Sequence, residues 1–254
     1  MNWKFRFILI FIIIFGIIPG GYSQETDTTE TSIWTDFFLI YTINNNFRFL
    51  AHTNFKFETA KKGFRQIMIR PALIYTPRDE LFVQAGLTFF YTVENGDEYY
   101  EIRPWQGINI FFPRINNVYI NNFFRLEERF AYSAVDDENF TQLRGRYALM
   151  TFIPLNHKDM INNTLYLWPY AELFAVFAQS GVDSYLSRYR FSMGLGYRFT
   201  DHIRTELVYM YEKSRNESDV TYNRIDKVIR IVFRYSLFNS RFAKDRKNQN
   251  SQGS

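Results

Sequence analysis

The sequence predicts an all-β chain, an antiparallel up-and-down transmembrane β-barrel of about 10–12 strands, preceded by a cleaved signal peptide. Three observations predict it. The first is Ser187–Glu212, SRYRFSMGLGYRFTDHIRTELVYMYE, in which Tyr189, Phe191, Met193, Leu195, Tyr197 and Phe199 alternate with Arg188, Arg190, Ser192, Gly194, Gly196 and Arg198. After Thr200-Asp201-His202, Ile203, Thr205, Leu207, Tyr209 and Tyr211 alternate with Arg204, Glu206, Val208, Met210 and Glu212. Period two on both sides of a short turn marks two antiparallel strands. One face is apolar and aromatic, the other carries full charges, as in a membrane strand that turns its apolar face to lipid.

The second observation is the start of the chain. Lys4 and Arg6 give a basic beginning, Phe7 to Ile18 an unbroken apolar run, and Pro19 to Ser23 a breaker with small residues. This is the three-part pattern of a secretory signal spanning residues 1–23, cleaved before Gln24. The run is shorter than the roughly 20 residues that a membrane helix needs, and charges interrupt every later apolar run. The third observation is composition. Aromatic residues make up 20% and charged residues only 22%, which suits a lipid-facing wall with aromatic girdles.

Taken in order, residues 24–32, QETDTTETS, are polar and acidic without periodicity and read as a tether or plug. Strand candidates then follow at the spacing of a meander, over residues 33–43, 47–58, 64–75, 81–93, 98–112, 118–132, 140–153 and 164–177. The opening hairpin comes next, then a loop over 215–226 and a last strand over 227–238. Turn formers separate them: Asn44-Asn45-Asn46, Lys61-Lys62-Gly63, Pro77-Arg78-Asp79, Asn95-Gly96-Asp97 and Asp136-Asp137-Glu138. Residues 33–238 thus form the barrel and residues 239–254 a polar tail without order signals. The count comes to about eleven, whereas bacterial single-chain outer-membrane barrels have even numbers with both ends in the periplasm. If the last strand descends to the periplasm, the first must descend too. Either one segment is miscounted or the first crosses the lumen.

Phasing each strand by its apolar face places Arg70, Glu101, Arg103, Arg125, Glu127, Arg129, Arg144, Arg146, Glu172, Arg188, Arg190, Arg198, Arg204, Glu206, Glu212, Arg230 and Arg234 in the lumen, where arginine outnumbers glutamate by 12 to 5. A charge on the lipid face would cost roughly 2–4 kcal/mol at midplane, so the common phase carries information. Hairpin symmetry sets Phe199 against Ile203, Arg190 against Glu212, and Glu127 opposite or diagonal to Arg146. Two readings follow: a charge network that packs a narrow barrel, or a surplus of arginine that attracts a small anionic solute or lipid phosphate. A subsidiary expectation is that Glu25, Asp27 and Glu30 fold inward and offset part of the surplus.

Other functions find little support. Cysteine is absent, which removes disulfides, thiolate metal sites and a thiol nucleophile. Loss of Lys4 and Arg6 with the signal takes the net charge from +4 to about +2, too little to argue for nucleic acid as a partner. No metal-ligand or phosphate-loop spacing occurs, so no cofactor is expected. Of three histidines, His157 and His202 fall in turns, and only His52 sits mid-strand facing the lumen. A barrel hydrolase or lipid-modifying enzyme would have to use it, with no serine at a recognisable spacing. Glu127 and Glu128 point to opposite faces and cannot act as a carboxylate pair.

The segments EIRPWQGI (Glu101–Ile108), FFRLEERF (Phe123–Phe130), LRGRYALMTFIPL (Leu143–Leu155), YAELF (Tyr170–Phe174) and RYRFSMGLGYRFTDHIRTELVYMY (Arg188–Tyr211) resemble a bacterial outer-membrane family known as domain of unknown function 2490. There, E-x-R, R-x-E-x-R and R-x-R strands precede a G-Y hairpin. The resemblance spans roughly residues 33–238. It implies an outer-membrane barrel in a Gram-negative bacterium, with lipid and the barrel-assembly machinery as partners, and it carries over no catalytic or binding residue. The resulting expectation is a non-enzymatic outer-membrane barrel, structural or narrowly permeable to anions. The alternatives are a barrel enzyme using His52 and a soluble secreted β-protein.

Overall fold

The computed structural model describes residues 28–59, 63–94, 96–133, 139–178, 184–215, 222 and 224–238, and no helix occurs among them. Eleven strands follow in chain order: β1 (Thr28–Thr42), β2 (Phe47–Glu58), β3 (Gly63–Arg78), β4 (Leu81–Glu94), β5 (Asp97–Phe111), β6 (Tyr119–Ser133), β7 (Asn139–Pro154), β8 (Thr164–Ala178), β9 (Tyr185–Arg198), β10 (Ile203–Ser214) and β11 (Arg224–Phe238). Each strand pairs with its sequence neighbours, and β1 meets β11 to close the barrel. The expected segments recur within a few residues, with two shifts. β1 starts at Thr28, so residues 28–32 are strand where a tether was expected, and β11 starts at Arg224, inside the expected loop. The signal segment, residues 24–27 and the tail lie outside the described residues.

An antiparallel arrangement throughout does not survive closure. β1 and β11 run parallel, in register from Thr28 opposite Arg224 to Thr42 opposite Phe238. The cause is parity. In a meander with an odd number of strands the first and last point the same way, so their pairing must be parallel. Neither a miscount nor a strand through the lumen is needed. Parallel pairing is slightly less stable per residue than antiparallel, and interior ion pairs bridge this seam.

Side chains alternate between the two faces of every strand. On β10, Leu207 is 59% exposed and Tyr209 52%, while Glu206 before them and Glu212 beyond them are 2% and 3% exposed. The outer face continues through Phe37, Leu39, Ile69, Leu73, Leu87, Ile102, Phe124, Leu173, Leu195, Ile229 and Phe233 on other strands, all exposed. Tyrosines gather where this belt nears the β10–β11 rim. Tyr91 lies opposite Tyr100, and Tyr100 opposite Tyr132. Glu98 accepts hydrogen bonds from the hydroxyls of Tyr91 (3.0 Å) and Tyr100 (2.8 Å). Tyr75, Phe199, Tyr235 and Phe238 stand exposed towards the other end, the β9–β10 rim.

Two local departures from regular geometry set the interior. The register of β2 against β3 shifts so that Phe57 faces Phe64 and Lys56 faces Gln66, leaving Arg65 as the extra residue of a β-bulge. Such a bulge re-aims a side chain: Arg65 turns inward to pair with Glu58, and with Glu30 at 3.0 Å. The second departure is the pair of glycines in β9. Gly196 lies between Tyr166 of β8 and Glu206 of β10 in one cross-strand row. The Tyr166 ring covers Gly196, where an added Cβ would meet ring carbon at 2.3 Å. The Tyr166 hydroxyl thereby donates to Glu206 Oε1 at 2.6 Å. Beside it, Tyr166, Trp168, Tyr170, Val208 and Val232 form a buried cluster, with Phe38, Met150, Phe152 and Met160 packed against it.

Oxidation of a Phe37→Cys/Phe233→Cys pair should link β1 to β11, because these outward residues are register partners and adjacent-strand Cα spacing suits a disulfide. A Phe37→Cys/Leu237→Cys pair should not link, and the native chain adds no cysteine background. Gly196→Ala should lower unfolding stability by about 1–3 kcal/mol through overpacking against Tyr166, measured by urea titration of the refolded protein.

Candidate functional site: the ion-paired interior

A carboxylate or guanidinium removed from water is tolerated only with a close, well-bonded counter-charge. Strands β5 to β11 supply such pairs, and Glu101, Glu127, Glu172 and Glu212 each serve more than one arginine. Glu101 receives Arg103 and Arg129, each through Nε at 2.6 Å. Glu127 receives Arg125, and Arg144 at 2.6 Å, with Arg103 at 3.9 Å. Glu172 pairs with Arg146, and with Arg190 at 3.1 Å. Glu212 pairs with Arg190, and with Arg188 at 3.1 Å. Glu206 receives Arg234 Nε at 2.9 Å. The result is a chain of charge running from β5 round to β11.

The register agrees with the symmetry of the β9–β10 hairpin. Arg190 lies opposite Glu212, and Phe199 N–H donates to the Ile203 carbonyl at 3.0 Å. Arg144, rather than Arg146, lies opposite Glu127, with Arg125 facing Arg146; Arg146 is therefore diagonal to Glu127 and turns instead to Glu172. Arg230 finds a partner that the sequence reading missed, Asp36 of β1, at 3.0 Å across the parallel seam. Glu30 crosses the same seam to Arg224 at 2.8 Å. Of the acidic residues expected to fold inward, Glu30 does so, while Glu25 and Asp27 lie outside the described residues. Lys56 lies inside, on the face it shares with His52, whereas Glu58, Arg65, Arg224 and Asp226 also belong to the interior and were missed. The signal for Asp36 was present, since Trp34, Asp36 and Phe38 share one parity, but aromatic residues on both sides of it masked the polar face.

Aromatic faces add to the hold that the carboxylates have on these cations. Phe174, 2% exposed, has Arg190, Arg144, Arg146 and Arg188 around its ring at 4.7, 5.2, 5.4 and 5.8 Å. Lys56 Nζ sits 4.0 Å above Trp34, and Arg103 lies 3.9 Å from Phe90. Desolvated contacts of this kind contribute up to about 2 kcal/mol each. Arg70 donates to Thr88 at 3.0 Å and faces the Trp105 ring at 6.0 Å.

His52 is 6% exposed and stacks on Phe38 with ring centroids 3.8 Å apart. Its Nε2 lies 2.8 Å from Asp36 Oδ1, and its Nδ1 faces Arg70 Nη1 at 3.5 Å. Arginine can only donate, so Nδ1 is the acceptor and Nε2 carries the proton given to Asp36. Both ring nitrogens are thus engaged with protein. Glu127 and Glu128 take opposite faces, the first 2% exposed inside and the second exposed outside. Among the described residues no group of three or more His, Asp or Glu side chains is placed to hold a metal ion.

A closed eleven-strand β-barrel with an apolar exterior and an arginine–glutamate interior is the class of protein defined by this geometry. The model of the family described as "Protein of unknown function (DUF2490)" matches residues 31–223, spanning most of β1 through all of β10, and the chain belongs to that family. Among curated proteins, none matches the chain.

Replacing Glu127 by Gln should lower unfolding stability by about 3–5 kcal/mol, because Arg125 and Arg144 would remain buried with their shared counter-charge gone. Glu128→Gln should change it by less than about 0.5 kcal/mol. Denaturant titration of both refolded variants measures the contrast.

Proposed function

We propose that this protein is an outer-membrane β-barrel whose interior is sealed by its own side chains, a structural element of the membrane rather than an open pore or an enzyme. The observation that carries the membrane reading is the inverted placement of polarity: apolar residues stand exposed around the barrel while glutamates and arginines are buried within. A contiguous exposed apolar surface of this extent marks a lipid or protein contact. A strand of 15 residues such as β1 extends about 50 Å at 3.3 Å per residue. Tilted by about 45°, it rises about 35 Å, enough for a hydrocarbon core near 30 Å. The odd strand number departs from the bacterial pattern, although membrane barrels with odd numbers exist in mitochondria. Outer-membrane lipid is then the partner of the belt, and the barrel-assembly machinery that of the inserting chain.

The sealed interior follows from burial. Eight strands enclose just enough space for side chains, and sixteen leave an aqueous channel. Eleven strands need long side chains to fill the middle, and Arg125, Glu127, Arg144, Glu172, Glu206 and Glu212 fill it with at most 6% exposure each. His52 is walled in by Asp36, Phe38 and Arg70, which argues against its use as a base on an external substrate.

Leu207→Arg separates the membrane reading from a soluble one. On a lipid-facing wall it should cost roughly 2–4 kcal/mol; on a wetted surface the change would stay within about 0.5 kcal/mol. The wild-type protein should also fractionate with outer membrane and migrate differently on gels before and after heating. Recovery in the soluble periplasm would overturn the reading. Refolded protein in planar bilayers should be electrically silent, and a steady anion-selective current would replace the sealed interior with a narrow pore.

A further inference from the structure

Three arginines stand side by side on the interior face near the β9–β10 rim. Arg198 of β9 is directly opposite Arg204 of β10, and Arg204 directly opposite Arg234 of β11. Neighbouring strands are about 4.8 Å apart, and like charges directly opposite one another destabilise a sheet. The outer two have counter-charges. Arg198 Nη2 donates to Asp201 at 2.7 Å and its Nη1 to the Met160 carbonyl. Arg234 Nε donates to Glu206 at 2.9 and 3.1 Å. Glu206 also accepts from Tyr166 and is 2% exposed. The side chain of Arg204, the middle residue, makes no hydrogen bond or ion pair with any described residue, and Arg198 Nε is enclosed without an acceptor among them.

The opposite rim shows how the fold treats a like-charge row that it closes internally. Glu212, Asp226 and Glu30 lie opposite one another across β10, β11 and β1. Each has a guanidinium: Arg188 at 3.1 Å from Glu212, Arg224 at 3.3 Å from Asp226 and 2.8 Å from Glu30, and Arg65 at 3.0 Å from Glu30. The arginine row, with two carboxylates for three cations, is left one charge over. Its members are half-buried, beside the turn Phe199–His202 and therefore reachable from the rim.

We propose that this row seats a phosphate-class oxyanion, either free phosphate or the phosphate of a lipid headgroup, with Arg204 as its central ligand. Guanidinium forks match the oxygens of phosphate and bind them by paired charge-assisted hydrogen bonds. The aromatic cluster of Tyr166, Trp168 and Phe38 lies behind the row, with the Arg234 guanidinium 4.1 Å from Phe38 and 5.1 Å from Trp168. The site is a seat at the mouth, not a step in a passage. It does not depend on which membrane surrounds the barrel.

The test uses the full chain refolded in uncharged detergent, titrated calorimetrically with inorganic phosphate and with dihexanoyl phosphatidic acid at matched ionic strength. Saturable binding is expected, weakened about tenfold in Arg204→Gln by loss of one charge-assisted contact. Arg204→Lys should lose less, and Arg224→Gln, at the other rim, should bind as wild type. Binding of phosphate alone assigns a free anion; binding of phosphatidic acid alone assigns a headgroup. Absence of saturable binding to the wild type with both probes overturns the proposal, whether or not the variants fold. So does undiminished binding by Arg204→Gln, once circular dichroism shows it to be folded.

Discussion

Everything in this barrel depends on how a buried glutamate is shared. Glu101, Glu127, Glu172 and Glu212 each lie within reach of two guanidiniums, so the interior is held by bridges rather than by isolated pairs. A lone buried ion pair is often no better than an apolar replacement, because desolvation offsets the attraction. A shared carboxylate changes the balance, since one desolvated anion answers two cations and both of its oxygens accept. Glu127 between Arg125 and Arg144, and Glu172 between Arg146 and Arg190, tie adjacent strands together in this way. These links hold β6, β7, β8 and β9 in one register.

The aromatic residues solve a second part of the same problem. Arginine exceeds acid within the barrel, and water is excluded from the middle layer. Phe174 and Trp34 offer the faces of their rings to arginines that already share carboxylates, and planar guanidiniums stack on them more readily than ammonium groups would. The preference for arginine over lysine along these strands follows from that geometry. Lys56, the exception, sits over the largest ring of the set.

Much of this was legible in the sequence, because strand periodicity is set locally by which residues tolerate water or apolar surroundings. The hairpin of β9 and β10 announced its turn, its register and both faces. What was not legible depends on closure. β1 reads as apolar on both faces, so Asp36 did not stand out, and its partners Arg230 and His52 come from strands far apart in sequence or on the other side of a turn. The inward turn of Arg65 required a bulge that no local pattern signals. The parallel seam follows from a count of strands that looked like an error. The glycines of β9 were visible as small residues, but the Tyr166 ring that occupies the space over Gly196 belongs to another strand.

The parallel seam also determines where the ends of the barrel wall lie. In an even-stranded barrel the first and last strands finish side by side at one rim, and a few residues can join them. Here Thr28 stands at the β10–β11 rim and Phe238 at the other, separated by the length of a strand. Labels attached beyond these two points would face different sides of whatever the barrel spans. A circular permutant would need a linker of some fifteen extended residues, at about 3.3 Å each, running the height of the wall.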